Sequence, residues 1–181
     1  YTSTDSGVNW VARETNRNWY GVASSSDGTK LVATVESGQI YTSTDSGVNW
    51  TARDSNRSSR VVSSSADGVK LVTCAGAGQI YTSTDSGVNW VARATTESWR
   101  SVVSSADGVK LAAVGLNTAI YISTDSGVNW SAVETVRDWT DIAMAATDGN
   151  KLVGAENGGR LHVSTDSGAN WTPRDSVRAW Q

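Results

Sequence analysis

The chain has 181 residues, 15 basic and 18 acidic, a formal charge of −3, nine Trp, no Phe, and one cysteine and one histidine. Basic residues spread through the whole sequence argue against a nucleic-acid partner, and no apolar run reaches the roughly 20 residues a membrane-spanning helix needs, so no membrane insertion is expected. A lone cysteine closes no intramolecular disulfide, and no His, Cys or acidic cluster has metal-ligand spacing, so neither a metal nor any other cofactor is implied.

The chain opens on Tyr-Thr-Ser-Thr-Asp-Ser-Gly-Val-Asn-Trp at 1–10, which returns unchanged at 41–50 and 81–90 and nearly so at 121–130 and 162–171. A catalytic centre needs one copy of its residues and a lattice of equivalent packing sites needs many, so the recurrence points to architecture. Two turn signals divide each repeat: the Thr4-Asp5-Ser6-Gly7 stretch, and an Asp-Gly pair at 27–28, 67–68, 107–108 and 148–149. Between them lie segments rich in Val, Thr, Tyr and Trp, near 19–26, 29–35, 39–44 and 8–13 in the first unit, with no helical period. Four short strands in about 40 residues match a propeller blade, so the expected fold is an all-β propeller of four-stranded antiparallel blades. The whole chain reads as a single propeller, with repeats at 1–40, 41–80, 81–120 and 121–161 and a partial one at 162–181.

Within the decapeptide, Asp5 can accept backbone N–H bonds, Gly7 can take the left-handed conformation, and Ser3 can add a hydroxyl bond across the turn. Trp10 then re-enters the sheet. The same structural roles fall to Asp45, Gly47 and Trp50, to Asp85, Gly87 and Trp90, to Asp125, Gly127 and Trp130, and to Asp166, Gly168 and Trp171. Each buried ring is worth a gross gain of roughly 4–6 kcal/mol, making these five tryptophans the expected rivets of the fold.

The pattern Ser3-x-Asp5-x-Gly7-x-x-Trp10 and its copies resembles the Asp-box, or BNR, repeat of sialidase-like and sortilin-like propellers along the whole chain. The resemblance implies a turn between the third and fourth strands of each blade, with a structural and not a catalytic Asp. Asn9, Asn49, Asn89, Asn129 and Asn170 stand where that family often has Ser or Thr, which leaves one turn hydrogen bond open. Sialidase chemistry would need three converging arginines, a Tyr nucleophile with its Glu, and an Asp acid. Here Arg13, Arg53, Arg93 and Arg174 follow the scaffold, where a stabilising role such as an ion pair to a neighbouring blade is expected, and Tyr1, Tyr41, Tyr81 and Tyr121 recur at a strand position that His162 takes over structurally. Nothing selects a catalytic carboxylate pair among Glu14, Glu36, Glu97, Asp141 and Glu156.

Lettering the strands A to D outward, the segments in order give four A, four B, five C and five D, with a C-D half-blade at the N-terminus and Trp180 where a further A strand would open. Three readings remain: a compact ring carrying a half-blade, a ring completed by a second copy, or a segment of a longer array. A homo-oligomer or array is therefore an expected partner state.

The copies differ after the fourth strand and after the second, and both connections fall on one face of the disc. There Tyr20, Arg60, Arg100 and Thr140 occupy equivalent positions at the start of the innermost strand, and they form the candidate ligand site with Asp141. A β-bulge near Ala143-Met144-Ala145, from one extra residue in the fourth repeat, would aim Asp141 into the channel. A second series, Trp19, Trp99, Trp139 and Trp180, with Ser59 in the second blade, is expected between blades. Cys74 is expected as a small buried residue, and Lys30, Lys70, Lys110 and Lys151 as edge protection and solubility. The reading is a non-catalytic module, extracellular or in the cell envelope, structural or binding carbohydrate or protein; the alternatives are a degenerate sialidase-like glycoside hydrolase and a designed or amplified scaffold without a ligand.

Overall fold

The computed structural model describes residues 1–174, apart from the side chain of Ser55. Among these residues every regular element is a strand. The first sheet is β1 (Trp19–Ser24), β2 (Leu31–Val35), β3 (Gly38–Ser43) and β4 (Thr51–Arg57); the second is β5 (Ser59–Ser64), β6 (Leu71–Ala75), β7 (Gly78–Ser83) and β8 (Val91–Glu97). The third is β9 (Trp99–Ser104), β10 (Leu111–Gly115), β11 (Thr118–Ser123) and β12 (Ser131–Arg137), and the fourth is β13 (Trp139–Met144), β14 (Leu152–Glu156), β15 (Leu161–Ser164) and β16 (Thr172–Arg174). Each sheet is an antiparallel meander in chain order. Residues 1–18, expected as two more strands, form one antiparallel bridge, in which Thr2 and Val11 exchange both N–H···O bonds at 2.9 Å. Trp180 lies outside the described residues.

The decapeptide forms the turn from third to fourth strand in every sheet. In the second, the Gly87 N–H donates to Ser83 Oγ at 2.9 Å, Ser83 Oγ–H donates to Asp85 Oδ1 at 2.8 Å, and the Asn89 N–H donates to Asp85 Oδ1 at 2.9 Å. The open question about the Asn is answered the same way in all five copies: its Nδ2 donates to the other carboxylate oxygen at 2.6–2.7 Å. Ser86 and Gly87 both have positive φ, 58° and 82°, so two consecutive left-handed residues close the turn. The Trp90 indole N–H donates to Gly87 O at 3.0 Å and anchors the ring over the turn.

The ring burial differs from expectation. Trp50, Trp90, Trp130 and Trp171 are half-buried and Trp10 is 61% exposed, whereas Trp99 and Trp139 of the second series are fully buried. The turn tryptophans are held at their N–H and so sit at the rim of the sheet. The second series points between sheets, where each ring passes edge-on to an aromatic ring of its own sheet: Trp99 to Tyr121 at 5.1 Å, Trp139 to His162 at 5.1 Å and Trp19 to Tyr41 at 5.3 Å.

The core lies between successive sheets. Val32 and Ile40 of the first sheet meet Val62 and Leu71 of the second; Val72, Cys74 and Ile80 meet Val102 and Leu111; Ala112, Val114 and Ile120 meet Ile142 and Leu152. Burial pushes the Cys74 thiol up to about 12, in keeping with a packing role. The first strands β1, β5, β9 and β13 lie side by side, and no comparable packing joins β13 back to β1, so the stack is open. On the turn side, Ser26 N–H donates to Ala66 O, Ala66 N–H to Ala106 O and Ala106 N–H to Ala146 O at 2.6–2.8 Å, which stitches neighbouring sheets through their first hairpins.

Three expectations are corrected. Lys70 Nζ donates to Asp107 O at 3.0 Å and Lys110 Nζ to Asp148 O at 2.9 Å, so these lysines tie each sheet to the next. Arg13, Arg53 and Arg93 make no ion pair across sheets among the described residues but donate Nε to Thr2, Thr42 and Thr82 Oγ1, at 3.1–3.2 Å. Where that Arg is Val133, the Thr is Ile122; in the last copy Arg174 is kept while the Thr position becomes Val163. The extra residue of the fourth repeat does not bulge the strand: Ala143 and Met144 pair regularly with Val153 and Leu152, and the residue is absorbed in the turn closed by Ala145 N–H to Lys151 O.

Ser83→Ala removes a buried hydroxyl that accepts the Gly87 N–H, and is expected to destabilise the fold by about 1–3 kcal/mol in urea denaturation. The Asp5 carboxyl is held down at about 2 by the Asn9 N–H, the Asn9 amide and the Ser3 hydroxyl, and that of Asp27 by the Ser25 hydroxyl and Thr29. Depressed carboxylates stabilise above their unfolded pKa of about 4 and lose that contribution as the pH falls toward 2, so the denaturation midpoint should drop across that window.

Candidate functional site

The face opposite the recurring turns carries the short connections from fourth to first strand and from second to third. The stretch expected as a linker after the fourth strand is strand for most of its length. The fourth strand pairs up to Arg53, bulges at Asp54, which has φ 56°, and pairs again at Arg57 with Gly38; Ala94 and Glu134 repeat the bulge. A single residue, Ser58, Ser98 or Asp138, then leads into the next sheet. Backbone bonds clamp this link to the adjacent hairpin: Gly76 N–H to Ser58 O, Leu116 N–H to Ser98 O and Asn157 N–H to Asp138 O, at 2.7–3.2 Å. The variable face is therefore stiff.

On this rim the candidate residues fall one to a sheet. Tyr20 and Arg60 are exposed, and the Arg60 guanidinium stands 5.8 Å from the centre of the Tyr20 ring. Arg100 is half-buried and lies 3.8 Å from Asp138 Oδ1, at the link into the fourth sheet. Thr140 is occupied locally, its hydroxyl donating to Ala155 O at 3.1 Å. Asp141 is exposed, but its carboxylate accepts the N–H of Ile142 at 2.9 Å, so it caps its own strand. The register shift beside it, between Trp139 and Asp141, has counterparts in the first three sheets and owes nothing to the extra residue. The structure thus brings Tyr20, Arg60 and Arg100 into one row and leaves Thr140 and Asp141 engaged elsewhere.

Sequence reasoning took His162 as structural and passed over the cluster it nucleates. His162 is buried between the third and fourth sheets, with Nε2 3.3 Å from Glu156 Oε2 and Nδ1 4.0 Å from Glu134 Oε1. Arg137 Nη1 donates to both Glu156 oxygens at 3.2 and 3.3 Å. Partial burial would raise the Glu156 carboxyl, but the bonds from His162 and Arg137 outweigh it and hold it below the usual carboxylate range. The earlier interfaces use other chemistry at this place: the Arg17 guanidinium over the Tyr41 ring at 4.7 Å, Arg57 over Tyr81 at 3.8 Å, and a Tyr121 hydroxyl donating to Glu97 at 3.4 Å. A signal was available. The position of Val35, Ala75 and Gly115 becomes Glu156 in the same repeat in which Tyr becomes His.

Among the described residues no group of three or more His, Cys, Asp or Glu is placed to hold a metal ion. The acids of the recurring turns each accept three bonds from their own turn, as Asp85 does from the Ser83 hydroxyl, the Asn89 N–H and the Asn89 amide.

No family model and no curated protein matches the chain. Solved structures do. A GH74 enzyme from Niastella koreensis superposes with TM-score 0.70 at 26% identity, over 85% of this chain and 24% of that one. YCF48 from Cyanidioschyzon merolae superposes with TM-score 0.69 at 18% identity, over 93% and 60%, and YCF48 bound to D1 peptide with 0.67 at 17%, over 93% and 57%. The chain thus spans less than two thirds of each of these proteins, and the likeness defines it as a β-propeller-type stack of four-stranded sheets, open and not closed into a ring.

Glu156→Gln weakens the His162 and Arg137 bonds and should cost about 1.5–3 kcal/mol of stability near neutral pH. Because the folded carboxyl is depressed, the difference from the parent should shrink as the pH falls below about 4, measured by urea denaturation at stepped pH.

Proposed function

We propose that this chain is part of a non-catalytic propeller of the Asp-box type, acting outside the cell or in its envelope, whose variable rim binds an acidic segment of a protein partner. The observation that carries the reading is the row of Tyr20, Arg60 and Arg100 on three successive inner strands. Arg60 is exposed, stands near the Tyr20 ring and has no carboxylate partner among the described residues. An aromatic face beside a fork of N–H donors suits a carboxylate on an extended peptide, since Arg binds carboxylates bidentately and Tyr adds rigid contact area. Repetition supports it too. The fold fixes the turn face, whereas the rim changes residue from sheet to sheet, as a surface selected for contact would. The structure of YCF48 with a D1 peptide is a case of a similar fold seated against a peptide.

The non-catalytic reading rests on the occupancy of the acids. The turn aspartates are bonded to their own turns, Asp141 to its own strand, and Glu156 to Arg137 and His162. The likeness to a GH74 enzyme covers a quarter of that chain, and a hydrolase would need a free carboxylate pair across a groove.

Binding to an array of acidic peptides, with a glycan array beside it, tests the reading. Arg60→Ala and Arg100→Ala should each weaken the best peptide by about 10- to 100-fold, the loss of one charge-assisted hydrogen bond. Unchanged binding by both variants would refute the rim as the site. Hydrolysis of a fluorogenic sialoside that disappears in either variant would replace the reading with a glycoside hydrolase.

A further inference from the structure

Each interior interface joins two unlike faces: a leading face, whose first strand contributes Val62, Val102 or Ile142, and a trailing face, whose second and third strands contribute Val32 and Ile40 or their equivalents. Among the described residues one of each is left over. On the first sheet Val22, the equivalent of Val62, Val102 and Ile142, is 76% exposed against 6%, 1% and 2% for those three. On the fourth sheet Val153, Ala155 and Leu161 are partly exposed, although the matching residues of the other sheets are buried. The leading face is not flat: a groove of about 400 Å³ opens over β1 and β2, lined by Trp19, Val22, Ala33 and Trp50 on one side and by residues 1–17 on the other.

We propose that a second copy of the chain occupies this groove, its fourth sheet laid head-to-tail on the first sheet of its neighbour. The contact continues one already made three times within the chain. Interior contacts run through the first two strands of the covering sheet and the first strand of the covered one, and those are the strands left bare at the two ends. Val153, Ala155 and Leu161 present to Val22 the same alternation of branched and small side chains that Val72, Cys74 and Ile80 present to Val102. Residues 1–18 cover the outer part of the leading face, where Arg17 stands over the Tyr41 ring and Thr2 sits against the turn at Gly47, and leave Val22 of the innermost strand exposed; the Thr2–Val11 bridge is their one ladder contact among the described residues. Full seating of the partner sheet requires residues 1–18 to give up their place against Tyr41 and Gly47. Because the two faces differ, the association is heterologous and closes into a ring or grows as an array. It is independent of what the rim binds.

Light scattering after size exclusion, across a concentration series, tests the contact. The parent chain should run above monomer mass, and Val22→Asp and Ala155→Asp should each run as monomers. Both side chains lie outside the closed interior clusters, and thermal melting in circular dichroism confirms that the variants are folded. The decisive sample is their equimolar mixture. The intact trailing face of the Val22→Asp chain meets the intact leading face of the Ala155→Asp chain, so a one-to-one dimer should reappear. A parent chain that stays monomeric at millimolar concentration overturns the proposal. So does a mixture that stays monomeric, because a symmetric or non-specific association would not be rescued.

Discussion

A sheet of four strands, each three to seven residues long, has two faces and can bury neither by itself. Everything else in this molecule follows from that constraint. A face is covered only by the unlike face of the next sheet, so the chain must present both kinds on every sheet and repeat them at a constant spacing. Apolar residues accordingly gather between sheets, where Ile40, Ile80 and Ile120 have no exposed surface at all. The hydrophobic gain at each interface is spread over a few branched side chains, joined by a buried ring, Trp99 or Trp139, at the second and third, which is how a chain without Phe builds its core.

Thin sheets bring turns close to the core, and turns bring polar backbone with them. The recurring phrase resolves that conflict: the Ser83 hydroxyl takes up the Gly87 N–H and the Asp85 carboxylate the Asn89 N–H, while the Ser86 N–H reaches Val69 O in the other hairpin of the sheet. Lys70 and Lys110 extend the same logic between sheets by donating to carbonyls of the next hairpin. The opposite face is clamped by backbone bonds of its own, but there the side chains change from one sheet to the next.

The interface between the third and fourth sheets shows how far the repeat can drift without losing its form. The Tyr81 ring stacked under Arg57 between the first two sheets has as its counterpart, between the last two, a buried His flanked by two carboxylates and Arg137. The exchange works because His162 keeps the edge-on contact with Trp139 that Tyr121 makes with Trp99, while Glu156 replaces a small apolar residue and brings in the compensating charge. Paired drift of the same kind replaced an Arg–Thr hydrogen bond by Val133 beside Ile122.

Strand number per sheet, the position of both turns and the all-β character were legible in the sequence, because they rest on local chemistry: an Asp-Gly pair or a Ser-Asp-Gly phrase fixes its turn within a few residues, and the repeat shows which positions are fixed. The buried place of Cys74 was legible for the same reason, from the small residues that replace it. Direction was not. Whether Trp90 or Trp99 is the buried ring, whether Lys70 faces solvent or the next hairpin, and whether an extra residue enters a strand or a turn depend on which atoms of the neighbouring sheet lie within reach. No local pattern carries that information. The row of Tyr20, Arg60 and Arg100 could be picked from the alignment of the repeats, but the bond of Thr140 to the adjacent strand and of Asp141 to its own depend on the folded sheet, and the exposure of Val22 where its three equivalents are buried was decided by the stack: a core side chain's surroundings belong to the sheet across from it, and Val22 has none.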